Sequence, residues 1–222
     1  MKTPFDPTLA RIEAIAAEPP VALSRLSAPW LRQRFSQPVD WSPEFTDEHR
    51  LRDLSKPLVP ASVLVPLVAH PDRLSLLLTQ RTAHLNDHAG QISFPGGRVD
   101  PEDADAIATA LRETEEEIGL ARRHVEVIGR LPDYVTGTGF RVTPVVALVH
   151  PPFELAPEEF EVAEIFEVPM SFLMDGTNHQ RRSAEFPGRP GVRTFYAMPF
   201  GEYFIWGATA AMLRNLYHFL RA

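Results

Sequence analysis

The chain has 222 residues, 44% of them hydrophobic, which is enough for one sizeable core and cramped for two. Its net charge of −7 argues against sequence-independent binding of nucleic acid, which depends on basic side chains to neutralise phosphates. There is no cysteine to form a disulfide, and no apolar run nears the roughly 18 residues of a membrane span.

Residues 7–17 and 21–35 read as short helices separated by Pro19-Pro20, and residues 36–60 are rich in proline and charge. Residues 1–57 are therefore expected to form an N-terminal helical, proline-rich extension wrapping a catalytic domain of residues 58–222. Asp6, Arg11 and Glu13 interrupt any signal-peptide core, so the expected compartment is the cytoplasm. Residues 62–68 and 74–79 are β-prone apolar runs joined by a turn at His70-Pro71-Asp72.

The next stretch carries the chemistry. Gly96-Gly97 reads as a rigid turn; Asp100 is a good N-cap, Pro101 suits the first helical position, and Asp103 falls where a capping box would place an acid. Gly119 is a natural stop. Ala104, Ile107, Ala110, Leu111 and Ile118 recur at helical spacing and predict one apolar face. On that helix Glu113 and Glu117 lie about 40° apart, with Glu116 on the same flank and Glu115 pointing elsewhere. Arg112, four residues before Glu116, can hold that carboxylate through charge-assisted hydrogen bonds. Hard oxygen ligands packed on a rigid element suit a divalent cation and the hydrolysis of a pyrophosphate. A run of glutamates alone would read as a solvated face; the glycines, cap, arginine and stop in order favour a site.

Residues 125–131 and 141–149 follow as strands, 165–168 and 193–198 as shorter ones, and 208–220 as a closing amphipathic helix. Strands on both sides of one catalytic helix, with another helix late, predict an α/β or α+β domain on a mixed sheet. His84 and His88 have a spacing that could bind zinc, but no third ligand is near. Tyr203, Phe204 and Trp206 read as core more readily than as a nucleobase platform. Arg122-Arg123-His124 reads as a solvated turn, while Arg181, Arg182 and Arg189 fall in an expected loop over residues 178–191. Twenty arginines against two lysines supply planar forks for phosphate recognition.

Residues 94–120, FPGGRVDPEDADAIATALRETEEEIGL, resemble the Nudix box of hydrolases that cleave nucleoside diphosphates linked to another moiety. The match departs from the usual box in three ways: 14 residues separate Gly97 from Arg112, Asp103 replaces an early Glu, and Thr114 stands where an aliphatic residue is usual. The first two departures are familiar in the coenzyme A pyrophosphatase branch. Leu77-Leu78-Thr79-Gln80-Arg81, running through His88 and Gly90 into Phe94-Pro95-Gly96-Gly97, is similar to the segment that distinguishes that branch. So is Ile205-Trp206-Gly207-Ala208-Thr209-Ala210-Ala211-Met212-Leu213. The branch commonly has a basic residue after Leu85; here Asn86 stands instead.

The resemblance implies a Nudix-like α/β/α sandwich with a central mixed sheet. It also implies hydrolysis of coenzyme A or its thioesters, a small-molecule substrate, with Mg²⁺ or Mn²⁺ as cofactor. Glu113, Glu116 and Glu117 are then the expected metal ligands. Glu113, Glu116 and Arg112 are the catalytic set, and Arg81, Arg98 and Asn86 contact the substrate. A general base comes from Glu116, Glu161 or Glu164. The alternatives are another nucleoside diphosphate derivative as substrate, or a Nudix-like module that binds a nucleotide without cleaving it; such modules typically lose box carboxylates, whereas all three are present here.

Overall fold

The computed structural model describes residues 5–37, 39–44, 55–83, 90–186 and 191–222. Its centre is a mixed sheet built on β2 (Val59–Ala69) and β8 (Phe140–Val149), which run parallel from Val59↔Phe140 to Val68↔Val149. Both strands are near-continuous apolar runs because both faces of the sheet are covered. β3 (Leu74–Arg81) pairs antiparallel with β2, then with β4 (Ile92–Ser93) and β9 (Val162–Pro169). β6 (Val125–Arg130) and β7 (Tyr134–Val135) pair with β8, and β5 (Gly96–Arg98) pairs with residues 61–63 of β2.

One face is covered by α2 (Ala106–Ile118), whose Ala110 and Ile118 pack with Leu64, Val68, Leu77, Val145 and Ala147. The other holds α1 (Ala28–Ser36) and α4 (Gly207–Arg221), with Leu31, Leu213, Leu216 and Leu220 against Val65, Leu67, Leu76 and Val146. Helix, sheet and helix therefore form the expected three layers. The short α3 (Met170–Leu173) follows β9 directly.

A second, four-stranded antiparallel sheet comprises β1 (Arg11–Ile15), β10 (Gln180–Glu185), β11 (Val192–Phe200) and β12 (Tyr203–Trp206). The expected helix over residues 7–17 is thus a 3₁₀ turn at Pro7–Leu9 followed by an edge strand. Arg181 and Arg182 lie in β10 rather than in a loop. Arg182 is buried, donating to the carbonyls of Thr8 and Ala10, so it ties down the N-terminal segment. Among the described residues, no helix is long and apolar enough to cross a membrane.

Candidate active site

The helix carrying the carboxylates starts later than its sequence suggests. Asp105, not Asp100, is the N-cap, its side chain accepting from the Ala108 N–H at 2.8 Å, and residues 101–105 form turns. Ala104 is exposed outside the helix instead of joining its apolar face. The end agrees with expectation: Gly119 caps the helix at φ 68°, a left-handed conformation that suits glycine. Thr114 is buried in the last turns, where its hydroxyl donates to the Ala110 carbonyl at 2.6 Å. That bond satisfies the polar group at a position usually aliphatic.

The later start frees Asp103 for another partner. Arg112 donates from Nε and Nη2 to the two Asp103 oxygens at 3.0 and 2.8 Å, and from Nη1 to Glu113 and Glu116, both at 3.0 Å. Asp103 also accepts from the Asp100 N–H and the Thr109 hydroxyl, and the Arg112 hydrogen bond holds its carboxyl below the usual carboxylate range. Sequence reading put Asp103 in a capping-box-like place, and its bond from the Asp100 N–H is of that kind, but its grip on Arg112 was not foreseen. The signal it lacked was that the chain turns between residues 101 and 105, which no helical spacing reveals.

Gly96 and Gly97 lie in a short strand instead of the expected rigid turn. The Gly96 N–H donates to Glu117 Oε2 at 3.1 Å, and a Cβ on Gly97 would collide with the Glu113 carboxylate. Glycine here lets backbone and carboxylates approach closely. Glu117 is buried, and burial pushes its carboxyl up to about 7; the Gly96 N–H and Arg81 oppose the rise, while Glu161 and Glu113 add to it. Burial also raises Glu113, with Glu116 and Glu161 adding to the rise and Arg112 opposing it. Glu116 is mostly exposed, and Glu115 pairs with Arg122 at 3.3 Å, away from this group.

Arg81 points its Nη1 toward Glu117 Oε1 at 4.0 Å, the outer limit of an ion pair. Among the described residues, its Nε is buried with no acceptor. Arg98 is exposed, its guanidinium 5.4 Å over the Phe140 ring, while its carbonyl accepts from Arg112. Asn86, His84, His88 and Arg189 lie outside the described residues. Of the two later glutamates, Glu161 adds its charge to the field at Glu113 and Glu117, whereas Glu164 accepts from the Tyr203 hydroxyl at 2.6 Å. Trp206 packs against Phe195 and Phe5, and Tyr203 stacks on Phe166 at 3.7 Å.

The donor set fits a hard divalent cation. Glu113 and Glu117 are desolvated carboxylates whose proton affinity is raised further by neighbouring glutamates, which is the imbalance a cation relieves. Among the described residues no three acidic or histidine side chains are gathered into a ready cage. Mg²⁺ takes few protein carboxylates and fills its shell with water and phosphate oxygens.

A sequence model of the NUDIX domain matches residues 58–185. The protein of Escherichia coli strain K12 named "Uncharacterized Nudix hydrolase NudL" is 43% identical over 157 residues, covering 70% of this chain and 80% of that one. Its namesake in Shigella boydii serotype 18 gives the same figures. Among solved structures, a MutT/nudix family protein from Enterococcus faecalis is 19% identical with a TM-score of 0.49, covering 87% of this chain and 68% of that one. The box residues thus stand inside a matched domain that covers more than half of the sequence, and the chain belongs to the Nudix hydrolase family.

Proposed function

We propose that this Nudix hydrolase cleaves the pyrophosphate of coenzyme A or its thioesters, releasing 4′-phosphopantetheine (or its acyl form) and adenosine 3′,5′-bisphosphate. One observation carries the reading. The two segments outside the box that resemble the coenzyme A branch meet in space, where the buried Thr209 hydroxyl of residues 205–213 donates to the Ile92 carbonyl of residues 77–97 at 3.0 Å. Two distant stretches of chain are thereby joined a few residues before Gly96-Gly97.

Nudix enzymes generally use divalent metal ions. In the proposed site Glu113 and Glu117 hold Mg²⁺ or Mn²⁺ with Glu116 sharing it, and the ion supplies charge neutralisation and Lewis acidity at phosphorus. The chain's own residues do the positioning. Arg112 fixes Glu113 and Glu116 in one arrangement, and Gly97 leaves room for the first of them. Arg81 brings a partly exposed guanidinium to the diphosphate. Arg98 is a further clamp for the substrate, and Asn86 occupies the position where a basic residue would meet a phosphate. As general base, Glu161 is favoured over Glu164, whose carboxylate is occupied by Tyr203. A cytoplasmic location completes the reading.

The test is to incubate the protein with coenzyme A and Mg²⁺ or Mn²⁺ and weigh the products. Masses of 4′-phosphopantetheine and adenosine 3′,5′-bisphosphate are expected; intact coenzyme, or release of inorganic phosphate alone, overturns the assignment.

A further inference from the structure

Four polar side chains of α2 follow one another at i, i+3, i+4 and i+7: Thr109, Arg112, Glu113 and Glu116. That spacing sets them in one stripe along the helix. The last three are joined, Arg112 Nη1 donating to both glutamates at 3.0 Å. Thr109 stands one turn earlier and is fully buried, so its hydroxyl needs a partner. A buried helical threonine ordinarily bonds back to the carbonyl four residues before it, as Thr114 does to Ala110. Thr109 has that carbonyl within reach, on Asp105 at 3.3 Å, but Asp103 Oδ2 is closer at 2.8 Å. The Asp105 carbonyl already accepts from the Thr109 N–H at 3.1 Å, and the hydroxyl has one hydrogen to give. The shorter bond, to Asp103, takes it.

Asp103 links Thr109 to the rest of the stripe. Its Oδ2 accepts from the Asp100 N–H, the Thr109 hydroxyl and Arg112 Nη2, and its Oδ1 accepts from Arg112 Nε. Asp100 belongs to the segment before the helix, as Asp103 does; of these partners only Thr109 and Arg112 belong to the helix itself. A carboxylate held to the helix by Arg112 alone would swing with the guanidinium. A second bond from the helix body turns it into a fixed back for the fork.

We infer that Thr109 is a positioning residue for the metal carboxylates: through Asp103 it squares the Arg112 fork, and through Arg112 it fixes Glu113 and Glu116. It touches neither cation nor substrate. This rests on the proposed metal site and not on the choice of coenzyme A as substrate.

The experiment takes the wild type, Thr109→Val, Thr109→Ala, Thr109→Ser, Asp103→Asn, and Thr109→Val combined with Asp103→Asn. Each is titrated with Mn²⁺ without substrate and assayed for coenzyme A hydrolysis at saturating Mn²⁺. Thr109→Val removes the donor and keeps the shape. Its Mn²⁺ affinity and kcat should each fall about fivefold, with KM for coenzyme A within about twofold of wild type. Thr109→Ala should give the same losses, so the result does not depend on how valine packs. Thr109→Ser keeps the hydroxyl and should stay near wild type in both measurements. Because the effect travels through Asp103, Thr109→Val should cost less than about twofold once Asp103→Asn is present. Unchanged Mn²⁺ affinity and kcat in Thr109→Val, an equal loss in Thr109→Ser, or losses that multiply in the combined variant each overturn the inference. A wild type that binds Mn²⁺ but leaves coenzyme A intact refutes the proposed substrate alone, and the Mn²⁺ titrations then decide the inference by themselves.

Discussion

Asp103 grips Arg112 side-on, its two oxygens at 3.0 and 2.8 Å from Nε and Nη2, and this leaves Nη1 to hold Glu113 and Glu116 together. The guanidinium acts as a bracket whose back is an aspartate in a turn and whose front faces the carboxylates. If Arg112 is a positioning residue, Arg112→Lys should lower turnover by about tenfold or more with little change in KM, since a point charge cannot reproduce the fork. Asp103→Asn should show the same split, more weakly. Steady-state kinetics on both variants checks this, and a raised KM with unchanged turnover would place Arg112 on the substrate.

The carboxylate that burial pushes up to about 7 is Glu117. An acid raised in the folded state loses stability for the fold as pH rises from the usual carboxylate range through that value. Glu117→Gln should therefore be at least as stable as wild type at pH 7 without divalent cation, while turnover falls 100-fold or more, about 2.7 kcal/mol of barrier. Glu115→Gln, whose carboxylate pairs with Arg122 away from the site, should remain near wild type in activity. Thermal melts and rates separate the two effects, and near-wild-type turnover in Glu117→Gln at saturating Mg²⁺ would remove Glu117 from the site.

The central strands were legible because each is an apolar run long enough to be buried on both faces, as residues 62–68 and 141–149 are. Residues 7–17 were not, because their Ala, Ile and Glu content suits a helix, and only pairing with β10 turns five of them into an edge strand. The carboxylate helix was legible from Arg112 to Gly119, where local spacing decides side-chain positions. Its start was not. Asp100, Asp103 and Asp105 are all fit to cap a helix, and the contact of Asp103 with Arg112, a tertiary ion pair, selects the last of them. Glu161 comes to the site through its carbonyl, which accepts from the Thr82 N–H, and through Glu158, whose N–H donates to the Glu117 carbonyl; both partners are far away in sequence, so spacing could not distinguish Glu161 from Glu164.

Gly97→Ala should keep the fold and impair the site. The new methyl meets the Glu113 carboxylate, so Glu113 must leave its place beside Arg112. Turnover is expected to fall about tenfold or more with a melting temperature close to wild type. Full activity would show that Glu113 can be repositioned without loss.

The fold should lose stability in acid through two groups. Burial keeps His179 neutral in the fold, lowering it from 6.5 to about 4, so the unfolded chain alone takes up a proton between those values and stability falls across that window. Although burial opposes it, hydrogen bonds from His218 and Tyr196 and the charge of Arg214 hold Glu44 down at about 2. Its contribution is intact above about 4.5 and is lost as pH falls toward about 2. Each stage is worth on the order of 2–3 kcal/mol. Because Glu117 acts with the opposite sign between about 4.5 and 7, denaturant melts against pH should be read as differences from the variants, His179→Gln for the upper stage and Glu44→Gln for the lower; a difference between wild type and His179→Gln that stays constant from pH 7 to 4 would contradict the first.

The assignment to coenzyme A stands on residues 77–97 and 205–213 meeting at Thr209 and Ile92. Its most direct measurement is kcat/KM for coenzyme A against ADP-ribose under the same Mg²⁺ or Mn²⁺ concentration, with products weighed. The account predicts a preference for coenzyme A of at least tenfold, about 1.4 kcal/mol in transition-state binding. Equal efficiency, or cleavage of a nucleoside triphosphate with neither of these touched, would contradict it.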